Sequence, residues 1–324
     1  MPLIWDNHAC IPLRPDSQII PAQLDRYRAS GVNVVSLNIC WDGVSPDLAL
    51  PMAEAFRACV AKHPDRYLLV ETVDDIERAQ ASSRLGIVFD VEGGRALKGD
   101  VAMVARFHEL GVRWMLLTYN RRNELGGGCL DAENEGLTDF GRAVLDEMCR
   151  VGIVPCCSHV SERAAMEVLE RSTLPVIFSH SNARAVWNHP RNITDEMIRA
   201  CARTGGVIGL NGIGPMVGRG PVSVDGVLDH VCHVADLVGP AHVALGLDYD
   251  FEIHDEGTAT LDRNFYIPAA LFPDGFSIMP PEQIGGLAAG LERRGWSGAD
   301  VAAFLGGNLR RVAEAAWKPR PDAA

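Results

Sequence analysis

Long apolar runs are missing from this 324-residue chain. No stretch approaches the roughly 18 apolar residues that a membrane-spanning helix needs, and the opening MPLIWDNHAC lacks the basic start and apolar core of a signal peptide. Basic residues are in deficit, with a net charge of −12 and an isoelectric point of about 5.3. That balance argues against nucleic acid or an anionic membrane as a partner. We therefore expect a soluble, cytoplasmic protein.

Regular cysteine spacing, internal repeats and low-complexity tracts are also absent. The nine cysteines fit reduced thiols better than a disulfide framework. No glycine-rich phosphate-binding fingerprint follows the first apolar run. Nothing marks a linker, and 47% apolar residues suffice for a large core, so residues 1–324 are predicted to form one domain.

The sequence does contain a regular alternation of short apolar runs with helical patterns. Eight runs are predicted strands: 3–6, 32–39, 85–91, 112–118, 152–157, 175–178, 206–210 and 243–246. The predicted helices are 51–62, 100–110, 138–150, 161–171, 194–204 and 224–238, with two more between 281 and 317. The alternation predicts an α/β fold with a parallel sheet. Eight units favour a (β/α)8 TIM-like barrel with a C-terminal helical extension over an open doubly wound sheet.

The stretch 174–192 indicates how such a barrel presents a site. Its apolar run ends in Ser179-His180 and opens into a polar loop that carries His189, Arg191 and Asn192. The run 151–158 likewise ends in His159. Active sites of TIM-like barrels lie at the carboxyl ends of the strands. The glycine-rich loop 120–136 is a candidate wall over this site, and a long irregular segment is expected at 250–282.

Side chains that bind metals or protons stand at the ends of most predicted strands. They are Asp6, His8, Asp90, Glu92, Tyr119, His159, His180, Asp248 and Asp250. Alone, each is more often a helix cap or a hydrogen-bonded core group. On a barrel they converge, and histidines with a carboxylate able to bridge are the ligand set of a mononuclear or binuclear Zn²⁺ hydrolase site. The glycines after Glu92 would allow close approach of a metal or substrate.

Short motifs along nearly the whole chain carry a family resemblance. They are Asp6-Asn7-His8, Glu92-Gly93-Gly94, Leu117-Thr118-Tyr119-Asn120, Gly136-Leu137-Thr138-Asp139-Phe140-Gly141, Ser158-His159, Ser179-His180-Ser181, Arg191-Asn192, Gly246-Leu247-Asp248-Tyr249-Asp250 and Gly306-Gly307-Asn308-Leu309-Arg310-Arg311-Val312. In this order they resemble the membrane (renal) dipeptidase family of zinc peptidases, within the amidohydrolase-like barrel superfamily. The resemblance implies hydrolysis of a dipeptide or dipeptide-like amide by metal-bound hydroxide, with one or two Zn²⁺ per chain.

The resemblance also assigns roles at the site. His8 would bind one metal, Glu92 would bridge both, and His159 with His180 would bind the second. Asp248 would contact the metals and handle the proton that passes to the leaving amine. Arg191, beside Asn192, would hold the terminal carboxylate of the substrate, which a planar guanidinium suits. A homodimer is a further implication, with the terminal helices available for its contact.

Three positions depart from the family pattern. The family has His-x-Asp at the first strand, whereas this chain has His8-Ala9-Cys10. A thiolate binds zinc, so Cys10 either replaces the carboxylate or leaves that metal position weak or empty. Asp90, on the same strand face as Glu92, is a supporting group or a substitute ligand. Tyr119 stands where the family has a histidine that contacts the oxyanion, and its hydroxyl can donate there. Cys156 replaces an expected acid.

Two alternatives follow from these departures. In the first, the chain would be a metal-dependent hydrolase of a non-peptide amide, lactam or amino-acid conjugate, because altered ligands usually accompany altered chemistry. Otherwise the barrel has lost catalysis and serves as a binding protein, against which the retained Glu92, His159, His180, Arg191 and Asp248 argue.

Overall fold

The computed structural model describes residues 2–14, 19–250 and 262–317. The strands are β1 (Trp5–Cys10), β2 (Val34–Trp41), β3 (Tyr67–Leu69), β4 (Leu85–Glu92), β5 (Val112–Leu116), β6 (Val154–Cys156), β7 (Ile208–Leu210), β8 (Val243–Leu245) and β9 (Tyr249–Asp250). The helices are α1 (Ile19–Ala29), α2 (Ala49–Lys62), α3 (Val73–Ser82), α4 (Ala102–Leu110), α5 (Asp139–Val151), α6 (Glu162–Arg171), α7 (Asp195–Arg203), α8 (Gly214–Val217), α9 (Val224–Val238), α10 (Arg263–Tyr266), α11 (Ile284–Arg293), α12 (Gly298–Ala302) and α13 (Asn308–Ala316). Part of the predicted irregular segment 250–282 falls at 251–261 and lies outside the described residues.

The strands follow one another around a ring of parallel neighbours. The hydrogen-bonded order is β6, β5, β4, β2, β1 and β9, and β7 pairs with β8. Single bridges join the two groups, because Ile177 pairs with Cys156 of β6 and Phe178 pairs with Ile208 of β7. A parallel ring with helices between its strands is the predicted TIM-like barrel.

The ring closes where the chain beyond β8 returns to β1. Asp6 Oδ1 accepts from the backbone N–H of Leu247 at 2.9 Å, and its Oδ2 accepts from the Tyr27 hydroxyl at 3.0 Å. The Asp248 N–H donates to the His8 carbonyl at 3.1 Å, and Cys10 pairs with Asp250 of β9. Asp6 therefore stabilises the closure of the barrel, and burial raises its pKa to about 6.

Polar caps fix where the barrel helices begin. Thr138, Ser161, Thr194 and Ser223 each accept, through the side-chain oxygen, a backbone N–H of the first helical turn. Such caps satisfy donors that have no partner inside the helix. The predicted start after Thr194 is confirmed, and the other predicted barrel helices begin close to their predicted first residues.

The opposite end of the barrel is closed by the C-terminal helices. Between α12 and α13 the chain forms a π-helical turn, Ala303–Gly307. Asn308 Nδ2 then donates to the carbonyls of Pro240 and Val243, both at 2.8 Å, which ties α13 to the start of β8. Beyond α13, the Trp317 ring lies 5.8 Å from that of Trp5, which stacks on Trp114 at 5.6 Å.

One predicted strand is not formed as a regular strand, and β3, α1 and α3 were not predicted. The run 175–178 makes only isolated bridges, because Pro175 has no N–H to donate and the segment is short. The three-residue β3 was not predicted, since it is too short to show a period, and it pairs with the first half of β4. Within the described ranges, no helix has both the length and the apolar character needed to span a bilayer.

Candidate metal centre

Five side chains meet at the carboxyl end of the barrel. His8 lies in β1 and Glu92 ends β4, while His159 follows β6, His180 follows the run 174–178 and Asp248 follows β8. All five are buried; His8 and His180 have no exposed surface. Residues more than 80 positions apart are thus brought within contact distance because the carboxyl ends of the barrel strands converge.

Glu92 occupies the middle of this cluster. Its Oε1 lies 3.3 Å from His8 Nε2, 3.3 Å from His159 Nε2 and 3.4 Å from His180 Nε2. This oxygen is buried yet has no hydrogen-bond partner among the described residues, whereas Oε2 accepts from Asn38 Nδ2. Burial raises the pKa of Glu92, but His8 and His159 outweigh it and hold the pKa well below its usual value.

The partners of His8 and His159 fix their tautomers. His8 Nδ1 donates to Asp90 Oδ2 at 3.0 Å, because a carboxylate only accepts. His159 Nδ1 donates to Asn120 Oδ1 at 2.8 Å, and the Asn120 amide is oriented by its Nδ2, which donates to the Tyr266 carbonyl. Both rings therefore direct Nε2 toward Glu92.

The same logic applies to His180. Its Nδ1 donates to Ser179 Oγ at 2.9 Å, and the Ser179 hydroxyl in turn donates a hydrogen bond to Ser158 Oγ at 3.4 Å. The Cys156 thiol also contacts Ser179 Oγ, at 3.0 Å, so Cys156 belongs to the support of His180. Burial lowers the pKa of His180 well below its ordinary value, which keeps the ring neutral and able to bind a metal.

These donors fit a divalent metal. Nitrogen and oxygen ligands about 2.0–2.2 Å from one tetrahedral zinc stand roughly 3.4 Å apart, which matches the three distances around Glu92 Oε1. The triads within reach are Glu92 with His159 and His180, His8 with Cys10 and Glu92, and His8 with His180 and Asp248. His159 and His180 Nε2 are only 2.7 Å apart, so these rings must separate slightly around a shared ion.

Cys10 and Asp248 line the outer side of His8. Asp248 Oδ1 lies 3.6 Å from His8 Nε2, and Oδ2 accepts from Asn211 Nδ2 at 2.9 Å. Cys10 Sγ lies 3.6 Å from His8 Nε2 and 3.9 Å from Asp248 Oδ1. Burial raises the pKa of Asp248 to about 7, although His8 opposes the shift, and burial raises the pKa of the Cys10 thiol well above its usual value.

Asp90 stands behind His8 and not beside the other ligand atoms. Its Oδ2 contacts Nδ1, the ring nitrogen opposite the one that faces Glu92, and Asp90 belongs to none of the metal-ligating triads among the described residues. The ligand alternative for Asp90 is thus disfavoured, because its carboxylate is used to orient His8.

Arg191 reaches the site from the loop after the run 174–178. Its Nη2 donates to His159 Nε2 at 2.8 Å, and its buried Nε has no acceptor within the described part of the chain. His189 holds this loop, since its Nδ1 accepts the Arg191 N–H at 3.2 Å and its Nε2 donates to the Leu271 carbonyl. A buried guanidinium with a spare donor is suited to an anionic substrate group.

The amide nitrogen of Asn192 is engaged within the protein, and its substrate contact stays a prediction. Its Nδ2 donates to the carbonyls of Trp187, at 2.9 Å, and Met216, at 2.8 Å. It lies outside the described lining of the cavity beside Asp248. Asn192 therefore fixes the loop that carries Arg191.

Tyr119 faces the cavity with its ring stacked on His159. The ring centroids are 4.1 Å apart and the planes differ by 23°. The backbone N–H of Tyr119 donates to Asp42 Oδ2 at 3.1 Å, which fixes the position of the residue. Burial raises the pKa of the Tyr119 hydroxyl well above its usual value, so the hydroxyl remains a hydrogen-bond donor.

The glycines after Glu92 have a different purpose from the one predicted. A Cβ on Gly93, whose φ is +126°, would lie 2.2 Å from Asp42 Cγ, and one on Gly94 would lie 2.3 Å from Leu125 Cδ1. The glycines thus make room for protein side chains. Asp42 needs this space because its carboxylate also accepts from the Arg95 N–H and Asn123 Nδ2.

A cavity of about 390 Å³ opens beside these groups. On one side it is lined by Cys10, Tyr119, His159, Arg191 and Asp248, and on the other side by the apolar side chains of Ile213, Met216, Ile267, Leu271, Phe272 and Phe276. A pocket with a few polar groups facing an apolar wall is typical of small-molecule sites.

Three site residues other than glycine have left-handed backbone conformations. Their φ angles are 58° at Asn120, 66° at His159 and 57° at Asp248. Such conformations cost about 1–3 kcal/mol each and tend to persist at functional sites.

Sequence reasoning missed four supporting residues: Asn38, Asp42, Asn120 and Asn211. Asn38 is a polar residue inside the apolar run 32–39, and Asn211 is a polar residue that directly follows the run 206–210. These positions were the available signals in the sequence. Asp42 has no such signal, since its role depends on backbone groups of distant loops.

Comparison with known proteins identifies the family of this chain. The family model for membrane dipeptidase, peptidase family M19, matches residues 20–257. The dipeptidase tcpJ of Claviceps purpurea is 32% identical over 230 residues, which cover 69% of this chain and 54% of that protein. Dipeptidase 3 of Rattus norvegicus is 28% identical over 272 residues, 82% of this chain and 51% of that protein. The chain thus spans about half the length of these relatives.

Solved structures share the barrel. An amidohydrolase from Pseudomonas aeruginosa has a TM-score of 0.88 at 24% identity, covering 98% of this chain and 97% of its own. A metallo peptidase from Rhodobacter sphaeroides, bound to a phosphinate mimic of the dipeptide L-Ala-D-Ala, has a TM-score of 0.79 at 20% identity, covering 97% and 99%. These likenesses establish the TIM-like fold. The match over residues 20–257 establishes the lineage: the chain belongs to the membrane dipeptidase family.

Proposed function

We propose that this chain is a zinc-dependent hydrolase that cleaves a dipeptide or a dipeptide-like amide. The observation that carries the proposal is Glu92 Oε1, a buried oxygen that has no hydrogen bond within the described part of the chain and faces the Nε2 atoms of His8, His159 and His180. One or two zinc ions bound there would supply a water of lowered pKa and polarise the scissile carbonyl. The family supports the hydrolase class.

The residues around the ligands suit a substrate with a carboxylate and an amide. Arg191 Nε has no acceptor among the described residues, and its Nη2 contacts His159 Nε2, the atom that a metal would use. Metal binding would release this guanidinium to hold the substrate carboxylate. Tyr119 lines the same cavity, and its hydroxyl would donate to the developing oxyanion.

Asp248 is the group we assign to proton transfer. Its Oδ1 lies on the cavity side, 3.6 Å from His8 Nε2, while Asn211 holds Oδ2. Burial raises its pKa to about 7, a value suited to accepting and returning a proton near neutral pH. The apolar wall opposite Asp248 favours substrates with an apolar side chain.

The test combines metal analysis with a dipeptide panel. We expect protein purified without chelator to hold one or two zinc ions and to hydrolyse dipeptides that have apolar side chains. Glu92→Gln should remove activity and lower the zinc content, because the amide cannot bridge two cations. Glu54→Gln, an exposed position on α2, is the matched control and should change neither. Unchanged activity in Glu92→Gln would refute the assignment.

A second outcome separates the related hydrolase. Cys10 and Tyr119 depart from the family pattern at the site itself. Zinc-loaded protein that leaves every dipeptide intact would favour a non-peptide amide, lactam or amino-acid conjugate as substrate. The homodimer and the cytoplasmic location stay predictions, which sedimentation and cell fractionation test.

A further inference from the structure

We propose that Cys10 Sγ is a metal ligand and that it completes the position formed by His8 Nε2 and Glu92 Oε1. The proposal rests on the metal centre proposed above and deepens it. It assigns to this chain a His/Cys/carboxylate position in place of the His/Asp/carboxylate position of the family resemblance. The three ligand atoms lie within 4.8 Å of one another.

The distances agree with coordination of one ion. A thiolate about 2.3 Å and an imidazole nitrogen about 2.0–2.1 Å from a tetrahedral zinc stand roughly 3.6 Å apart. Cys10 Sγ and His8 Nε2 are separated by 3.6 Å, and His8 Nε2 and Glu92 Oε1 by 3.3 Å. Cys10 and His8 are two positions apart in β1 and so direct their side chains to one face of the strand.

Cys10 differs from the other cysteines in what its thiol contacts. Cys201 Sγ donates to the Val176 carbonyl at 3.1 Å, and Cys129 Sγ donates at 3.4 Å to Asn120 Oδ1, the oxygen that orients His159. The neighbours of Cys10 Sγ are His8 Nε2 and Asp248 Oδ1, both groups of the centre. Of the nine cysteines, which all lie in the described ranges, Cys10 alone belongs to a metal-ligating triad.

A sulfur ligand changes which metal the position prefers. Thiolates select zinc and other soft cations, whereas carboxylate and carbonyl oxygens suit magnesium and manganese. As the metal–sulfur bond forms, the thiol proton leaves for solvent, so the bound form carries a thiolate where the family carries a carboxylate. The formal charge of the ligand set is therefore conserved while its softness increases.

Cobalt(II) provides a direct readout, because a cobalt–thiolate bond has a charge-transfer absorption in the near ultraviolet that oxygen and nitrogen ligands do not give. Metal-free full-length protein would be titrated with Co²⁺ while bound metal is counted. We expect the band in the unaltered chain and its loss in Cys10→Asp, which restores a carboxylate and should retain the bound cobalt. Cys59→Ser, a half-buried cysteine on α2, should keep the band.

The outcomes distinguish this inference from the proposed function. Two bound cobalt ions without the band, or a band that persists in Cys10→Asp, would overturn the thiolate ligand and leave the metal centre intact. No cobalt binding at all would overturn both. If Cys10→Asp does not fold, labelling of the unaltered chain decides: zinc should slow alkylation of Cys10 relative to Cys59, measured by peptide mass spectrometry. Equal rates with and without zinc would refute the ligand.

Discussion

Hydrogen bonds on the far side of each imidazole decide which ring nitrogen can bind a metal. Asp90, Asn120 and Ser179 each accept from an Nδ1–H, and the three Nε2 atoms consequently face Glu92. Such outer partners set ring orientation and raise ligand basicity. The metal affinity of this site is thus expected to depend on residues that never touch the metal.

Asp90→Asn tests this dependence. The amide can present a donor to His8 Nδ1, so the ring loses its orientation and its basicity. We expect metal affinity to fall roughly 10- to 100-fold, measured by competition with a coloured chelator. The stoichiometry at saturating metal should stay unchanged, whereas loss of one equivalent would show Asp90 to be a ligand. Asp47→Asn, at a surface carboxylate paired with Lys98, is the control.

Arg191→Ala tests the predicted carboxylate contact. A hydrogen bond to a charged group contributes about 1.5–3 kcal/mol, so kcat/KM for dipeptides should fall roughly 10- to 100-fold, mainly through KM. Carboxyl-amidated dipeptides should lose little, because they lack the charge that Arg191 binds. Equal losses on both substrates would assign Arg191 a different task.

At the scale of elements, the turn after β4 is shaped by a contact between loops. The carboxylate of Asp42 fills the space beside Gly93 and accepts the backbone N–H groups of Arg95 and Tyr119. The turn that follows Glu92 and the loop that carries Tyr119 are therefore positioned by one buried side chain.

Gly93→Ala should destabilise the protein strongly. The new Cβ would lie 2.2 Å from Asp42 Cγ on a residue whose φ is +126°. Gly99→Ala is the matched control, since Gly99 has a φ of +75° and no atom within 4 Å of an added Cβ. We expect Gly93→Ala to lower the free energy of unfolding by about 1–3 kcal/mol more than Gly99→Ala, measured by urea denaturation. Equal losses would show that Asp42 moves aside.

The sequence carried enough information for most of the elements but not for their supporting contacts. Alternating apolar runs predicted the strands that form the barrel. The polar strand ends predicted that a site would contain His8, Glu92, His159, His180 and Asp248. Asn120 appeared only as part of a motif, because its role depends on a hydrogen bond to the Tyr266 carbonyl, 146 residues away. The contacts of Asn192 were not foreseen for a similar reason, since its partners Trp187 and Met216 depend on how two loops pack.

At the scale of the whole molecule, the two ends of the barrel have separate tasks. The carboxyl ends of the strands hold the metal-ligating groups. The opposite end holds Trp5 and Trp114, against which Trp317 packs after α13. Packing at that end determines stability, whereas the chemistry depends on the side chains at the other end.

Trp317→Ala tests this separation. Removing a buried tryptophan should lower the free energy of unfolding by about 3–5 kcal/mol, measured by chemical denaturation. Metal stoichiometry and kcat of the folded fraction should not change. Trp296→Ala, at a half-buried position, should cost less stability. A change in metal content in Trp317→Ala alone would show that the two ends are coupled.

The closure of the ring has a consequence for how the protein is made. β1 leaves the ribosome early, yet its partner Tyr249 is synthesised 240 residues after Ala9. Until then β1 has an open edge beside β2, and such edges pair readily with other chains. His8 likewise cannot contact His180 and Asp248 until those residues have been synthesised. A nascent chain therefore keeps one edge of β1 unpaired, and the cluster around His8 incomplete, until nearly the entire barrel has been translated.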